Sequence, residues 1–228
     1  MALLEEGLVK LGLDGSEGRI LPLLTRYIEE IELFNPAYGL VKVRDQEELI
    51  VKHILDSLAP LSAIRNLLGS SDSTKTKKIA DVGSGAGLPG IPLAICMPHA
   101  AFTLIERMGR RAGFLRDAVA VLGLPNVNVK EADMEELAAS TGNRGETFSY
   151  DVIVFRAFKP LDGTILKGLF ALLSPDGTIA AYKGRRQSIE EEISRLEAAP
   201  QGALLTEFLP LEVPFLEEER HLLLLRKK

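Results

Sequence analysis

The sequence predicts an α/β fold built on a mostly parallel sheet, and three observations carry that prediction. From Lys78 onward, short apolar runs alternate with helix-like segments five times, the pattern of parallel strands with helices covering both faces. The first run leads straight into a glycine-rich turn, Gly83-Ser84-Gly85-Ala86-Gly87-Leu88-Pro89-Gly90. Two further apolar runs close the chain with no helix-length segment between them, which predicts a final antiparallel pair at the sheet edge. The expectation is a seven-stranded, mostly parallel sheet with an antiparallel edge strand and helices on both faces.

The elements follow in order. Between Gly18 and Phe34 the apolar residues Ile20, Leu23, Leu24, Tyr27, Ile28, Ile31 and Phe34 recur at helical spacing, and Asn35-Pro36 is expected to break that helix. Asp45 followed by Glu48 reads as a capping-box-like start, with Leu49, Ile50, Ile54, Leu55 and Leu58 behind it. Pro60 ends that helix or begins the next, which runs to about Leu68, and residues 69–78 form a polar loop. Then come strands at 78–82, 102–106, 127–130, 150–155 and 177–183, each followed by a helix: 88–97, 109–122, near 134–139, 161–173 and 187–198. Residues 174–177, Ser-Pro-Asp-Gly, read as a plain turn. The closing pair is 203–213 and 219–228. Residues 1–70 are thus expected to form an N-terminal helical extension packed on a domain of residues 71–228.

Composition narrows the function. The 228 residues are 46% hydrophobic, enough for a sizeable core, and carry a net charge of −5. That total argues against a generic nucleic-acid-coating protein. The charge is uneven, however: −2 over residues 1–78, +1 over 79–187 and −4 over 188–228. A cleft in the middle can still attract an anionic partner, because local field outweighs the sum. A single Cys excludes an internal disulfide and all but excludes a thiolate zinc site, and three scattered His make no metal site. Glu5 and Glu6 interrupt the first apolar stretch, so it does not read as a signal peptide, and no run spans a bilayer. The expectation is a cytoplasmic monomer without membrane association.

The glycine turn is the most informative stretch. Glycines there let the backbone turn sharply and let a ligand approach bare amides. Asp81 at the strand end suits a cationic ligand and repels a pyrophosphate. Glu106 ends the next strand, 23 residues after Gly83, where a carboxylate can accept both hydroxyls of a ribose. A dinucleotide fingerprint counted from Gly83 fails at Leu88; counted from Gly85 it succeeds through Gly87 and Gly90, but two residues into the loop. No P-loop lysine follows. S-adenosyl-L-methionine, a sulfonium carrying ribose and adenine, matches better.

Four stretches extend this reading: VKVRDQEELIVKHILDSLAPL, DVGSGAGLPGIPLAI, FRAF and AYKG. Together they resemble the bacterial 16S ribosomal RNA (guanine-N7) methyltransferase G family, once called glucose-inhibited division protein B, from about residue 30 to 186. The resemblance implies a class I Rossmann-like methyltransferase. It would move a methyl group from S-adenosyl-L-methionine to N7 of a guanine in the 530 loop of 16S rRNA, free or in a small-subunit precursor. Gly83 and Leu88 take the places of loop residues contacting the cofactor, with Gly85 between them, and Glu106 takes the ribose position. Asp133, Met134 and Glu135 occupy the place lining the adenine. Arg156 stands at the family's arginine after the fourth strand, facing cofactor and substrate. His53, Asp56 and Ser57 match an H-x-x-D-S element. The family's W-N-x-x-x-N-L-T reads here from Phe34 to Val41, keeping Asn35 but holding Gly39 and Val41 where the family has Asn and Thr.

The implied chemistry needs little machinery. Guanine N7 carries a lone pair and no proton, so it attacks a methyl group without a general base, and alignment is the main lever, worth up to ~7–11 kcal/mol. Cys96 reads as core, and no Pro-Pro element of exocyclic amine methylation occurs. Arg156 follows an apolar strand, where parallel sheets bind ligands; it offers a fork to guanine O6 or a phosphate, or else pairs with a neighbouring acid. His53 and Asp56 share a helix face. They position RNA or close over the cofactor, or else make an internal bond that docks the extension. Two basic groups, Arg107/Arg110/Arg111/Arg116 and Lys183/Arg185/Arg186 with Lys159, are candidates for rRNA phosphates or solvated faces. His99 and His221 read as structural. The rival readings are a methyltransferase acting on another RNA, a small molecule or a protein, a dinucleotide-binding oxidoreductase, and a cofactor-free interaction module.

Overall fold

A computed structural model describes residues 1–13, 18–69, 75–140, 148–157, 161–197 and 204–227. Seven strands form one sheet in the order β3-β2-β1-β4-β5-β7-β6. They are β1 (Lys78–Val82), β2 (Ala101–Glu106), β3 (Val127–Glu131), β4 (Tyr150–Arg156), β5 (Leu173–Lys183), β6 (Leu204–Leu211) and β7 (Arg220–Lys227). The first five pair in parallel, and β7 inserts antiparallel between β5 and β6. The strand order reverses between β1 and β4, so their carboxyl ends flank a crevice, the place where open α/β sheets bind ligands.

Both faces of the sheet are covered at its centre, which is why β4 and β5 read as long apolar runs, whereas β3 at the edge has no buried residue. In β4, Val152 and Val154 join one buried cluster while Ile153 and Phe155 join the other, as the two-residue period requires. The second cluster is closed by α8 (Met134–Ser140), α9 (Gly163–Leu172) and α10 (Arg186–Glu197). The first is closed by α6 (Gly90–Cys96), α7 (Gly109–Leu122) and the N-terminal helices. Leu4, Leu24, Ile28, Ile54 and Ile64 share that cluster with Val152, Val154 and Leu224. At ~25 cal/mol per Å² of apolar surface removed from water, this shared burial holds the N-terminal helices to the sheet.

The N-terminal part departs from the sequence expectation in two places. Residues Ala2–Lys10 form a helix, α1, that periodicity did not assign. Gly7 lies against Leu55 so closely that a Cβ would stand 2.4 Å from its Cδ1. Helix α2 (Ile20–Tyr38) runs through Asn35-Pro36 rather than breaking there. Pro36 falls in the last turn, where it removes one amide donor, and Gly39, left-handed at φ 57°, caps the end by donating to the Asn35 carbonyl at 2.9 Å. Beyond it lie α3 (Gln46–Leu49), a π-helical segment (Ile50–Leu55), α4 (Asp56–Leu58) and α5 (Leu61–Leu68). Asp45 caps α3 by accepting from Glu48 N at 2.8 Å, while Glu48 reaches back to Arg44 N.

The turn expected at 174–177 sits inside the assigned span of β5: Leu173 pairs with Tyr150 and pairing resumes at Thr178 opposite Val152, so the four residues bulge from the ladder. The polar loop at 69–78 lies largely outside the described residues. No helix among those described is long and apolar enough to cross a membrane.

Candidate functional site

The glycine turn leaves β1 with Gly83, Gly85 and Gly87 all at positive φ (70°, 60° and 94°), a region closed to most L-residues. Two carboxylates brace it. Asp81, wholly buried beneath the turn, accepts at Oδ2 from the Ser84 hydroxyl (2.7 Å) and the Gly90 amide (2.9 Å). Its Oδ1 is buried with no hydrogen-bond partner. Burial pushes this carboxyl up to about 6, against the pull of those two bonds. Gly90 has no room for a side chain, since a Cβ would lie 2.4 Å from Leu104 and 2.6 Å from Asp81 Oδ2. Glu106 accepts from Gly85 N (2.9 Å) with Oε2 and from Met108 N (2.8 Å) with Oε1. From α2, the Tyr27 hydroxyl donates to the Ala86 carbonyl at 2.6 Å, and burial raises that phenol well above its ordinary value.

A cavity of about 230 Å³ opens beside this turn. Gly83, Glu106, Asp133, Met134 and Glu135 line it together with Arg107, Met108 and Arg111. Asp133 Oδ1 accepts from Glu135 N (2.8 Å), which fixes the bend after β3.

A second cavity, of about 380 Å³, lies across the end of β4. Arg156 dominates it. Its Nη1 donates to the Lys52 carbonyl (2.8 Å) and to Asp56 Oδ2 (3.0 Å), and its Nη2 to His53 Nδ1 (2.7 Å). Asp56 is nearly buried between two guanidinium groups, with Arg220 Nε on its Oδ1 at 3.1 Å. Burial first, and the Arg156 charge second, lower the His53 imidazole to about 4, so the ring is neutral at neutral pH. Tyr182, Lys183, Gly184 and His221 complete the wall. The two cavities share Ala157, which is held at φ 50°, a conformation that costs a non-glycine residue of order 1 kcal/mol or more and is concentrated at functional sites.

The expected site residues divide accordingly. Gly83, Glu106, Asp133, Met134 and Glu135 meet in the smaller cavity; His53, Asp56, Arg156 and Lys183 meet in the larger. Arg156 was expected to face the cofactor as well, but only Ala157 reaches both walls. Gly85 and Leu88 serve the turn instead: Gly85 N holds Glu106, and Leu88 is buried in the core. Three residues expected at the substrate have partners within the chain. Ser57 is fully buried and its hydroxyl donates to the His53 carbonyl at 2.6 Å, so it stabilises the helix, and it lines neither of the two cavities. Asn35 accepts from Val41 N at 2.9 Å and fixes the chain after α2. Lys183 is paired with Glu192 at 2.6 Å and is no free phosphate ligand.

His53 and Asp56 do not bond to each other among the described residues; each bonds to Arg156 instead. Arg185 is exposed with no ion-pair partner among the described residues, whereas Arg116 is paired with Glu131. Lys159 lies outside the described residues. Sequence reasoning missed Tyr182, Arg220, Met108 and Ala157, and gave His221 no part in the site. The only signal for Arg220 and His221 was their place on the last strand, which β5 pairing carries to this crevice: Lys183 stands opposite His221.

Comparison with known proteins shows the family. The family described as rRNA small subunit methyltransferase G matches residues 20–223. The chain is similar to the Ribosomal RNA small subunit methyltransferase G of Treponema pallidum, 41% identical over 225 residues, covering 97% of this chain and 91% of the relative. The protein of the same name from Stenotrophomonas maltophilia is 40% identical over 221 residues, covering 97% and 92%. Among solved structures, a putative O-methyltransferase from Klebsiella pneumoniae superposes with TM-score 0.62 at 18% identity, covering 99% of this chain and 96% of that one. A SAM-dependent methyltransferase from Aquifex aeolicus gives 0.54 at 14%, covering 87% and 97%; these two share the fold.

Proposed function

The chain belongs to the rRNA small subunit methyltransferase G family, and on that premise we propose that it moves a methyl group from S-adenosyl-L-methionine to N7 of a guanine in the 530 loop of 16S rRNA. The observation that carries this reading is the meeting of two unlike cavities at Ala157, one with carboxylates and a glycine turn, the other with Arg156 and two histidines.

The residues fit a cationic adenosyl donor. Asp81 keeps one buried carboxylate oxygen without a partner under the turn, and Glu106 presents a carboxylate to the cavity wall with lone pairs left for ribose hydroxyls. When bound, the donor supplies an electrophilic methyl group on a sulfonium. Gly83 lets the backbone approach it, and Asp133, Met134 and Glu135 bound the adenine end. Arg156, held rigid by three partners, orients the base in the other cavity. Guanine N7 offers its lone pair unaided, so no residue of the chain needs to remove a proton. No covalent adduct is formed: the one thiol, Cys96, is buried and pushed up to about 12, and stays protonated. Catalysis is then alignment of nucleophile and methyl group.

The rRNA acceptor supports a cytoplasmic location. The test is methyl transfer from labelled S-adenosyl-L-methionine to naked 16S rRNA, assembled 30S particles and a protein fraction. Label in RNA is expected; label confined to protein would reject the proposal.

A further inference from the structure

The two histidines of the larger cavity carry opposite hydrogen-bonding polarity, and the structure sets each of them. His53 Nδ1 faces Arg156 Nη2 at 2.7 Å. A guanidinium can only donate, so Nδ1 accepts and the neutral ring carries its proton on Nε2. Burial and the Arg156 charge keep that ring neutral. His221 Nδ1 faces the Gly184 carbonyl at 2.8 Å. A carbonyl can only accept, so Nδ1 carries the proton and Nε2 of the neutral ring holds a lone pair. Neither Nε2 has a hydrogen-bond partner among the described residues. One cavity wall therefore holds a donor from the π-helical segment and an acceptor from β7.

We infer that His53 and His221 are specificity-determining residues that read the acceptor base as guanine, His53 Nε2–H donating to O6 and His221 Nε2 accepting from N1–H. This rests on the guanine-methylating reading above and deepens it. On guanine, O6 lies next to N7 and N1–H lies next to O6, so a base that presents N7 to the Ala157 junction can set this acceptor–donor pair against the wall of the Arg156 cavity. Adenine carries the reverse pair: an amino donor in place of O6 and a lone pair at N1. Against these histidines it sets donor on donor and lone pair on lone pair, which leaves all four groups unpaired. Inosine keeps O6 and N1–H, so the pair accepts it as guanine.

The test separates reading of the base from holding of Arg156. In His53→Asn the amide oxygen can take the place of Nδ1 toward Arg156 while the Nε2 donor is lost. In His221→Asn the amide NH₂ can still donate to Gly184 while the Nε2 acceptor is lost. Each full-length variant is expected to bind S-adenosylhomocysteine within twofold of the wild type and to lose at least tenfold in kcat/KM on unmethylated 16S rRNA. Unchanged kcat/KM in either variant would overturn the inference. A wild-type chain that methylates no guanine would instead remove the function the pair serves. A second measurement needs no variant. Histidine ¹⁵N spectra of the wild-type chain with S-adenosylhomocysteine should show His53 protonated at Nε2 and His221 at Nδ1. Both Nε2 signals should move with millimolar GMP or IMP and stay with AMP. Equal tautomers, or equal shifts with GMP and AMP, would contradict it.

Discussion

Arg156 and Asp56 stand 100 residues apart in the chain and 3.0 Å apart in the fold. Their ion pair ties the end of β4 to the start of α4, and Arg220 closes it from β7. An arginine with its guanidinium bound to a carbonyl, a carboxylate and an imidazole has one geometry, which is what an orienting group requires.

Arg156→Ala leaves Asp56 with only Arg220 and strands the Lys52 carbonyl and His53 Nδ1. Removing one partner of a nearly buried pair costs up to ~3–5 kcal/mol; because Arg220 remains, about 2 kcal/mol is expected. Chemical denaturation should show that loss, with single-turnover methyl transfer slowed at least a hundredfold. Wild-type turnover in this variant would dismiss Arg156 from the reaction.

At Gly83, φ is 70° and the residue lines the smaller cavity. Gly83→Val sets a β-branched side chain at a left-handed position, a strain of order 1–3 kcal/mol, and fills the wall. Calorimetry with S-adenosylhomocysteine should show affinity lowered a hundredfold or more, with the fold retained by circular dichroism. Undiminished affinity would mean that the donor sits elsewhere.

Acidification acts on His53 and Asp81 with opposite sign. His53 titrates near 4 when folded and 6.5 when free, so the unfolded chain binds the extra proton and stability falls as pH drops from 6.5 toward 4. Asp81 titrates near 6 when folded and 3.8 when free, so its contribution to stability rises as pH drops through the same region. A scan of the wild type alone therefore mixes these opposing contributions with those of Glu48 and Glu218, whose lowered values cost stability on acidification. The stability difference between wild type and His53→Asn isolates the first group, and it should shrink by up to about 3 kcal/mol between pH 7 and 4. A pH-independent difference would contradict the buried, neutral state of that ring.

Lys183 and Arg185 should separate in their response to salt. Lys183 is committed to Glu192, so Lys183→Met lowers stability by leaving that carboxylate with only the Leu161 amide as partner. Arg185 is exposed at the start of α10. Arg185→Ala should leave stability within ~0.5 kcal/mol, weaken RNA binding and reduce the salt slope of log K by about 0.7–0.9. Filter binding at several salt concentrations checks it; an unaltered slope would clear Arg185 of phosphate contact.

The inner parallel strands were legible in the sequence because burial on both faces makes them largely apolar, and α7 matched its expected span of 109–122. Helix α1 was not, because Leu4, Gly7 and Leu8 form too short a stripe to show a period, and its partner Leu55 lies far along the chain. The run of α2 past Pro36 depended on a cap at Gly39 that no apolar spacing signals. In the site, the turn with Glu106 was legible because neighbouring strands bring those residues together. The Arg156 cluster was not. It is assembled from three segments, at 52–56, 156 and 220–221, joined by β5–β7 pairing and the docking of α4, and nothing local in any segment announces the others. Ser57 misled because its hydroxyl bonds back to the residue four before it, a contact that no motif distinguishes from a role toward a ligand.

The central claim is transfer to guanine N7 across the Ala157 junction. Its most direct measurement is the mapping of N7-methylguanine in 16S rRNA from cells with and without this chain. One N7-methylated guanine is expected, in the 530 loop, that disappears with the protein and returns with the wild type but not with Arg156→Ala. An identical methylation pattern in both cells, or a lost methyl group on an exocyclic amine or ribose, would contradict it.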